Sequence, residues 1–330
     1  MAHLTEAQVT QFKEEGYLVV EDVLDPEQDI DPVIEEYAGV LDQLAQDLYD
    51  KGEISSTYDD LPFGDRLTKI YTESGRVHAQ YFDFSLPQQN VQPDTPMWVG
   101  PQVFHLLRNE RLLDAIESLI GPEIYSNPVQ HVRLKPPEHL CPVNEDTGRP
   151  QIGATPWHQD TGVVTPEADE TDMLTVWFGL WDATIENGCL EVIPKSHREG
   201  LLQHCITSTD LSRGFGRHIP GKFLREPDSV PIPLKRGGVL FFHRLNCHSS
   251  LPNNSDNIRW SFDLRYNPTG QPTGRSAFPG FVARSRSNPE SELHDPEEWA
   301  NLWYETRSRL SGSEDNPTFH RWKTDDPRCA

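Results

Sequence analysis

Ile258-Arg259-Trp260-Ser261-Phe262-Asp263-Leu264-Arg265-Tyr266 alternates strictly between apolar and polar side chains. Successive side chains of a β-strand point to opposite faces, so this pattern predicts a strand with one apolar and one polar face. Further short β-rich runs, separated by turn residues, lie at 124–134, 173–182, 188–193, 230–234 and 238–243. Strands at this spacing, without long helices between them, are typical of an all-β sandwich or barrel.

Helical signals come before this β region. Thr5 and Gln8 form a capping-box pattern, and Gly16 is placed to end the helix that they begin. The apolar run at 17–20 then predicts a buried strand. Other helices are expected at 25–48 with a break near Pro32, at 111–120 and at 295–310.

The chain carries no internal repeat and no evident linker. Residues 52–100, rich in Pro, Gly and aromatic residues, give no clear assignment. We expect one domain over residues 1–330, mainly β with flanking helices. Its parts are a helical amino-terminal part with pocket loops (1–123), a β core (124–268) and a carboxyl-terminal extension with a helix (269–330).

The charge of the chain argues against nucleic-acid binding and against binding to anionic membranes. With 29 basic and 52 acidic residues, the chain of 330 residues has a net charge of −23. Nucleic acids and anionic membranes would repel such a protein, so neither is expected as a partner. No apolar run approaches the roughly 20 residues that a membrane span needs, and the start of the chain lacks the pattern of a secretory signal.

The cysteines are odd in number and show no Cys-x-x-Cys spacing. They are Cys141, Cys189, Cys205, Cys247 and Cys329. A zinc ribbon or a disulfide framework is therefore not expected, and a reducing cytoplasmic location fits best. Cys247 is expected to serve buried packing.

A possible metal site begins at His158-Gln159-Asp160. On an extended strand His158 and Asp160 point the same way and Gln159 points opposite. Joined by a distant second histidine, the pair would make the 2-His-1-carboxylate triad of non-haem iron oxygenases. Chance supplies such spacing in a chain with 13 His, and His197-Arg198-Glu199 is a second example.

The second histidine should lie on another strand of the β core, and His243 and His248 compete for that role. If 238–248 and 258–266 form a hairpin around the Asn253-Asn254 turn, Arg259 lies opposite His248. A guanidinium there is suited to bind a carboxylate of a keto-acid cosubstrate through two parallel hydrogen bonds, and Ser250 can add its hydroxyl. The alternative is that Arg259 pairs with Asp263 on its own face.

With these residues in view, the chain resembles the phytanoyl-CoA dioxygenase family of Fe(II)- and 2-oxoglutarate-dependent oxygenases. The resemblance covers most of residues 1–268. Its stretches are Gly16-Tyr17-Leu18-Val19-Val20, Thr155-Pro156-Trp157-His158-Gln159-Asp160, Glu186-Asn187-Gly188-Cys189-Leu190-Glu191-Val192-Ile193-Pro194-Lys195-Ser196-His197, and the segments 175–184, 238–243 and 248–259. One departure is Lys195, which stands where the family usually has glycine in a Gly-Ser-His turn. That turn assigns His197 to a structural role.

The resemblance implies a double-stranded β-helix (jelly-roll, cupin-like) core. It implies Fe(II) bound by His158, Asp160 and His248, with 2-oxoglutarate and O₂ as cosubstrates. It also implies that 2-oxoglutarate contacts a second set of side chains, namely Arg259, Ser250, Trp177 and Gln130. Because related iron halogenases replace the carboxylate by a small residue, the retained Asp160 favours oxygenation over halogenation.

The expected reaction is hydroxylation of a small molecule with release of succinate and CO₂. The same iron chemistry could instead serve desaturation, cyclisation or epimerisation, and a non-catalytic cupin-like binding module or a zinc site remains the rival from another class. The pocket is expected to be lined by 54–100 and by the tail after Tyr266. There Arg275, Arg284 and Arg286 are candidates for an anionic group, with solvated surface arginines as the simpler reading. Trp157 and Trp181 are expected in the core.

Overall fold

The structure is a computed structural model, and it describes residues 3–206, 217–312, 321–323 and 326–329. The α-helices in these residues are α1 (Glu6–Glu15), α2 (Asp31–Asp50), α3 (Phe63–Ser74), α4 (Pro101–Leu107), α5 (Glu110–Ile120) and α6 (Pro296–Ser311). The strands are β1 (Tyr17–Val20), β2 (Glu123–Lys135), β3 (Val143–Asn144), β4 (Arg149–Pro150), β5 (Leu174–Gly179), β6 (Leu190–Val192), β7 (Cys205–Ile206), β8 (Arg217–His218), β9 (Val230–Ile232), β10 (Val239–His243), β11 (His248–Ser250), β12 (Arg259–Pro268) and β13 (Phe281–Ser285).

Two antiparallel sheets dominate the fold. The main sheet has six strands in the order β1-β10-β5-β12-β2-β13, and the second has three in the order β11-β6-β9. An apolar cluster joins them, since Trp177 of β5 and Leu240 of β10 pack with Leu190 and Val192 of β6. The remaining pairs, β3-β4 and β7-β8, are short two-stranded ribbons.

The alternation of β12 decides which face holds the core and which holds the site. Trp260 and Phe262 are buried in the large apolar cluster that also contains residues of α2 and α4. The polar row faces the other way, because its member Asp263 is the register partner of Trp177, which packs on the second sheet. Arg259 and Arg265 of this row are each only 3% exposed. Polar side chains therefore line the space between the sheets.

Most elements expected from the sequence are confirmed. Thr5 and Gln8 form the capping box of α1, and Gly16 ends that helix with φ +81°. A Cβ on Gly16 would also lie 2.2 Å from Nδ1 of His197, so the position accepts no side chain. The helices expected at 111–120 and 295–310 are α5 and α6, and a short helical turn at Pro26–Ile30 precedes α2 near the expected break.

Some elements lie outside the predicted pattern. Within the unassigned residues 52–100, helix α3 forms, and its buried residues include Leu67 and Ile70. The main sheet also takes edge strands from outside 124–268, namely β1 and β13. The β core is thus wider than the expected range, whereas the single-domain division remains a prediction.

The predicted hairpin between 238–248 and 258–266 is wrong. Strand β10 pairs with β1 and β5, β11 pairs with β6 in the second sheet, and β12 pairs with β2 and β5. Arg259 therefore lies opposite Lys135 and not opposite His248. The chain changes sheets between β10 and β11, so equal distance from a turn centre does not set the register here.

The cysteines also depart from expectation, because Cys205 and Cys329 form a disulfide with their Cα atoms 5.5 Å apart. The other cysteines are free and buried, and Cys247 packs with Ile193 and Ile219 as expected. None of the helices in the described part of the chain combines the length and apolar character needed to cross a membrane. The cytoplasmic location stays a prediction.

Candidate metal centre

His158 and His248 meet across an isolated antiparallel bridge. The backbone N–H of each donates to the carbonyl of the other at 3.0 Å. Gln159 is extended and its side chain points away, where Nε2 donates to the carbonyls of Gly200 and Leu245 at 2.8 Å. Asp160 then begins a short 3₁₀ turn. The chain thus directs His158 and Asp160 to one side, as the alternation predicts.

The three side chains form a compact buried group. Oδ1 of Asp160 lies 3.9 Å from Nε2 of His158 and 3.9 Å from Nε2 of His248. One potential ligand atom from each residue lies within 4.8 Å of the other two, and no second group of this kind occurs among the residues that the structure describes. Two imidazoles and a carboxylate are a donor set that suits divalent iron.

Hydrogen bonds fix the two imidazoles in the form that a metal needs. Nδ1 of His158 donates to the carbonyl of Pro156 at 2.8 Å, and Nδ1 of His248 donates to that of Asn246 at 3.0 Å. Each Nε2 is then left as an acceptor directed at the centre. Burial, followed by the charge of His248, holds the pKa of His158 well below its ordinary value, which favours the neutral ligand form.

Asp160 is fully buried and held from two sides. Nη2 of Arg265 donates to Oδ1 at 2.5 Å, and the hydroxyl of Thr175 donates to Oδ2. Burial raises the pKa of this carboxyl, but Arg265 and the two imidazoles outweigh burial and hold it below its usual range. Arg265 also pairs with Asp263 at 3.0 Å, so Asp263 is not reserved for Arg259.

Neither competing histidine joins this group. His243 ends β10, and its Nδ1 accepts a hydrogen bond from the backbone N–H of Leu245. His197 lies in a short 3₁₀ turn, where its Nε2 donates to the carbonyl of Lys13 at 3.2 Å. The sequence left His243 and His248 open, and the structure brings only His248 to His158 and Asp160.

A cluster of buried cations lies beside the three side chains. Nζ of Lys135 donates to the hydroxyl of Ser250 at 2.8 Å, and Ser250 follows His248 by two residues on β11. Arg259 is the register partner of Lys135. Burial lowers the pKa of Lys135 well below its ordinary value, and Arg259 adds to this effect. Burial and the charge of Arg133 lower the pKa of Arg259 to about 10.

Trp177 and Gln130 are the other two residues that were expected to contact the cosubstrate. The ring centroid of Trp177 is 5.5 Å from the Arg259 guanidinium, close enough for a cation–π contact. Nη1 of Arg259 donates to the hydroxyl of Ser261 at 3.0 Å, whereas its buried Nε has no hydrogen-bond partner in the described chain. Gln130 is 2% exposed, and its Oε1 likewise finds no partner there.

The chain matches the model of a known protein family over most of its length. The family model described as phytanoyl-CoA dioxygenase (PhyH) matches residues 12–261, which is more than half of the chain. The chain belongs to the phytanoyl-CoA dioxygenase family. The matched range contains His158, Asp160 and His248 as well as Lys135, Ser250 and Arg259. Arg265 and the carboxyl-terminal segment lie beyond it.

The chain is also similar to individual known proteins. Phytanoyl-CoA dioxygenase domain-containing protein 1 of Danio rerio is 28% identical over 272 residues, covering 78% of this chain and 87% of the relative. The 1-deoxypentalenic acid 11-beta-hydroxylase of Streptomyces arenae is 32% identical over 143 residues, 41% of this chain and 48% of the relative. A solved structure described as the non-heme monooxygenase ThoJ in its apo form has a TM-score of 0.57 and 16% identity, and it covers 92% of this chain and 95% of its own. At that identity the likeness shows a shared fold.

Sequence reasoning missed several residues of this candidate metal centre. Arg265 shares the polar row of β12 with Arg259, so the alternation already placed it on the inner face. Thr175 and Lys135 carried no comparable signal, since their roles depend on strand order. Asp83, from the unassigned 52–100 region, accepts a hydrogen bond at 2.8 Å from Nδ1 of His131 on β2.

The three arginines proposed from the tail, Arg275, Arg284 and Arg286, have different bonding partners. Arg284 is buried and pairs with Glu110, Asp114 and Glu117 around α5, and Arg286 pairs with Glu117. Neither contacts the candidate centre through these bonds. Arg275 is buried, and its Nη2 donates at 3.3 Å to the carbonyl of Val163, which lies in the short turn that begins at Asp160. Trp157 and Trp181, which were expected in the core, are half-buried at its margin: Trp157 packs on the cluster around Ile193 and Trp181 against Trp260.

Proposed function

We propose that this chain is an Fe(II)- and 2-oxoglutarate-dependent dioxygenase that hydroxylates a small molecule and releases succinate and CO₂. The observation that carries the proposal is one juxtaposition. The buried group of His158, Asp160 and His248 stands beside the buried cations Arg259 and Lys135. The first set suits a divalent metal and the second suits a dianionic cosubstrate.

His158, Asp160 and His248 would hold the metal. Thr175 donates to Oδ2 of Asp160 and Arg265 donates to Oδ1. Oδ1 is the oxygen that lies 3.9 Å from Nε2 of both His158 and His248, and its second lone pair would bind the metal. When bound there, iron would supply O₂ activation at the expense of 2-oxoglutarate, leading to oxidation of a substrate C–H bond. The retained carboxylate supports oxygenation over halogenation.

The buried side chains of Arg259 and Lys135 support the proposal that the cosubstrate carries a carboxylate. A carboxylate placed against Arg259 would accept from its guanidinium, whose Nε has no partner in the described chain. Ser250 accepts from Lys135 and from the backbone N–H of Thr155, so its hydroxyl hydrogen is left to donate to the same carboxylate. Trp177 would wall this pocket through its contact with Arg259. An anion here also offsets the mutual repulsion of two buried positive charges.

The fold supplies the dry enclosure that such chemistry needs. We assign the six-stranded and three-stranded sheets as the two halves of a double-stranded β-helix. We place the substrate against the partly exposed inner side chains His131, Asp83 and Asp263, which are 17%, 11% and 19% exposed. Asp263 joins them to the centre, because Arg265 binds both Asp263 and Asp160.

The test is an anaerobic titration with Fe(II) and 2-oxoglutarate. The wild type should give a weak visible charge-transfer band and should form succinate once air is admitted. Asp160→Ala and His248→Ala should abolish both signals, whereas His243→Gln, a matched change at the histidine outside the group, should retain them. A wild type with neither band nor succinate would overturn the proposal.

Two further outcomes separate the rivals. A band without succinate in air, in the presence of a broad panel of candidate small molecules, would support a non-catalytic binding module. Tighter binding of Zn(II) than of Fe(II) is expected for these ligands and does not by itself favour a zinc enzyme. Product masses from an accelerating compound would distinguish hydroxylation from desaturation, cyclisation and epimerisation.

A further inference from the structure

The carboxyl-terminal segment 321–329, as far as it is described, lies against the residues that follow Asp160. Arg321 donates to the carbonyls of Val164 and Thr165 at 3.0 and 2.9 Å. The indole Nε1 of Trp322 donates to the carbonyl of Gly162 at 2.6 Å. Since the family match ends at residue 261, this contact is contributed by a part of the chain outside the matched domain.

Trp322 also stacks on His204, with ring centroids 5.0 Å apart and an interplanar angle of 19°. His204 is fully buried. Its Nδ1 donates to the carbonyl of Leu202 at 3.0 Å, so Nε2 accepts the backbone N–H of Gln159 at 3.0 Å. His204 thereby holds the peptide between His158 and Gln159, and Gln159 is the residue that separates His158 from Asp160.

The packing around this contact leaves little room for movement. A Cβ on Gly162 would lie 2.3 Å from Nε2 of His204, so the turn after Asp160 lies directly against the imidazole. Gln159 is fixed from its other side as well, because its Oε1 accepts from the backbone N–H of Leu202 at 2.8 Å. The 200–204 segment therefore determines where the His158-Gln159-Asp160 backbone can lie.

A disulfide fastens the far end of the carboxyl-terminal segment beside His204. Cys329 is bonded to Cys205, the residue that follows His204. The segment is thus anchored covalently at one end and through Arg321 and Trp322 at the other. Neither anchor belongs to the metal-binding group itself.

We propose that residues 321–323 and 326–329 form a disulfide-anchored brace that positions the metal-binding motif, acting through His204. His204 and Trp322 are positioning residues. They hold the Gln159 peptide, and with it the separation between the His158 and Asp160 ligand atoms. This inference rests on the proposed function only in taking His158, Asp160 and His248 as metal ligands.

The brace is also redox-sensitive. A dithiol reductant would cleave the Cys205–Cys329 bond by transferring two electrons and two protons, giving two cysteine thiols and an oxidised dithiol. The release of Cys329 would loosen the stack of Trp322 on His204. Affinity for the metal should then fall.

The experiment measures Co(II) binding to the metal-free full-length protein by visible absorption. Loss of a residue that orients a ligand commonly weakens metal binding by about 10–100-fold. We expect about tenfold weaker binding for Trp322→Ala and for Cys329→Ser, with a shifted Co(II) spectrum because the ligand separation changes. Trp322→Phe should lie between these variants and the wild type, since it keeps the stack and loses the N–H.

Controls separate positioning from general stability. His204→Gln keeps an acceptor for the Gln159 N–H and should restore most of the affinity that His204→Ala loses. Tyr304→Ala removes an exposed aromatic residue of α6 and should stay within twofold of the wild type. The urea midpoint of each metal-free variant is recorded in parallel, because a purely structural role would change that midpoint and leave the Co(II) spectrum as it is.

Chemical reduction of the Cys205–Cys329 disulfide tests the brace independently of the substitutions. Treatment with a phosphine, which becomes its oxide with oxygen from water while the disulfide becomes two thiols, should weaken Co(II) binding by the wild type. The Cys205→Ser, Cys329→Ser double variant should not respond. Affinity and spectrum unchanged in Trp322→Ala and in the reduced wild type would overturn the brace alone, whereas a wild type that binds no Co(II) would overturn the brace and the proposed function together.

Discussion

Asp160 is fully buried, and Arg265 neutralises its carboxylate even when no metal is bound. Replacing it by Leu leaves Asp160 and Asp263 without their closest positive charge. Removing one partner of a buried ion pair costs about 3–5 kcal/mol. We expect Arg265→Leu to lower the free energy of unfolding of the metal-free protein by that amount, measured by urea denaturation.

A bound divalent ion should offset part of this loss, because it supplies positive charge to the same carboxylate. The deficit of Arg265→Leu should therefore shrink in the presence of saturating Co(II). Arg286→Leu is the matched control, since Arg286 pairs with Glu117 at an exposed position and should change stability by less than about 1 kcal/mol. Equal effects of the two substitutions would contradict this account.

His243 gives the fold a defined dependence on pH. Burial, reinforced by His197 and Arg244, lowers its pKa to about 4. The unfolded chain has a histidine pKa near 6.5, so between about pH 6.5 and 4 the unfolded state binds a proton that the folded state excludes. Stability is therefore present above pH 6.5 and falls as the pH falls, by roughly 2–3 kcal/mol at pH 4.5.

The comparison of wild type with His243→Asn isolates this contribution from that of the carboxylates. The wild type should lose more free energy of unfolding between pH 7.5 and 4.5 than the variant does. His139→Asn, at an exposed position, serves as the surface control. Parallel pH profiles for wild type and His243→Asn would show that His243 protonates freely in the folded protein.

At the scale of elements, the sequence predicted what local patterns determine and missed what strand order determines. The capping box of α1 and the alternation of β12 are local, and both are confirmed. The expected hairpin failed because β10 and β11 belong to different sheets, a choice made by long-range packing. The resemblance supplied His248 without the hairpin, and the structure brings Arg259 to Lys135 by a route that no local pattern contains.

The turn before the Ser196–Glu199 helix contains a strained residue that the sequence comparison had marked. Lys195, where the family usually has glycine, adopts φ +65° and ψ 3°. The left-handed region costs a residue with a Cβ about 1–2 kcal/mol. Lys195→Gly should therefore be more stable than Lys195→Ala by about 1 kcal/mol in urea denaturation.

Alanine is the appropriate reference for that substitution. Both variants lose the exposed ion pair between Lys195 Nζ and Glu15 Oε1, which spans 3.2 Å, and both keep the backbone hydrogen bond from Lys195 to the Glu15 carbonyl. Their difference therefore reports the backbone strain of alanine, less the extra conformational entropy that glycine loses on folding. Equal stabilities would mean that the turn relaxes out of the left-handed region when the side chain changes.

The charge of the whole molecule is distributed unevenly between interior and surface. Several buried side chains around the candidate centre are cationic, among them Lys135, Arg259 and Arg265. The net charge is nevertheless −23, so the remaining residues, most of them at the surface, carry an excess of negative charge larger than the net value. Such an excess destabilises the compact state by self-repulsion, and salt screens it over about 10 Å at 0.1 M.

Raising NaCl from 0.01 to 0.2 M at pH 7.5 should therefore increase the melting temperature, by roughly 1–2 °C for each 1 kcal/mol gained. The chain provides its own control, because its isoelectric point is about 4.9. As the pH is lowered towards that value the net charge vanishes, and the salt dependence should shrink with it. Salt that stabilises the protein equally at pH 7.5 and 5.5 would act through something other than screening of surface repulsion. A decrease in melting temperature with salt at pH 7.5 would mean that the ion pairs around α5 and β13 outweigh the acidic surface.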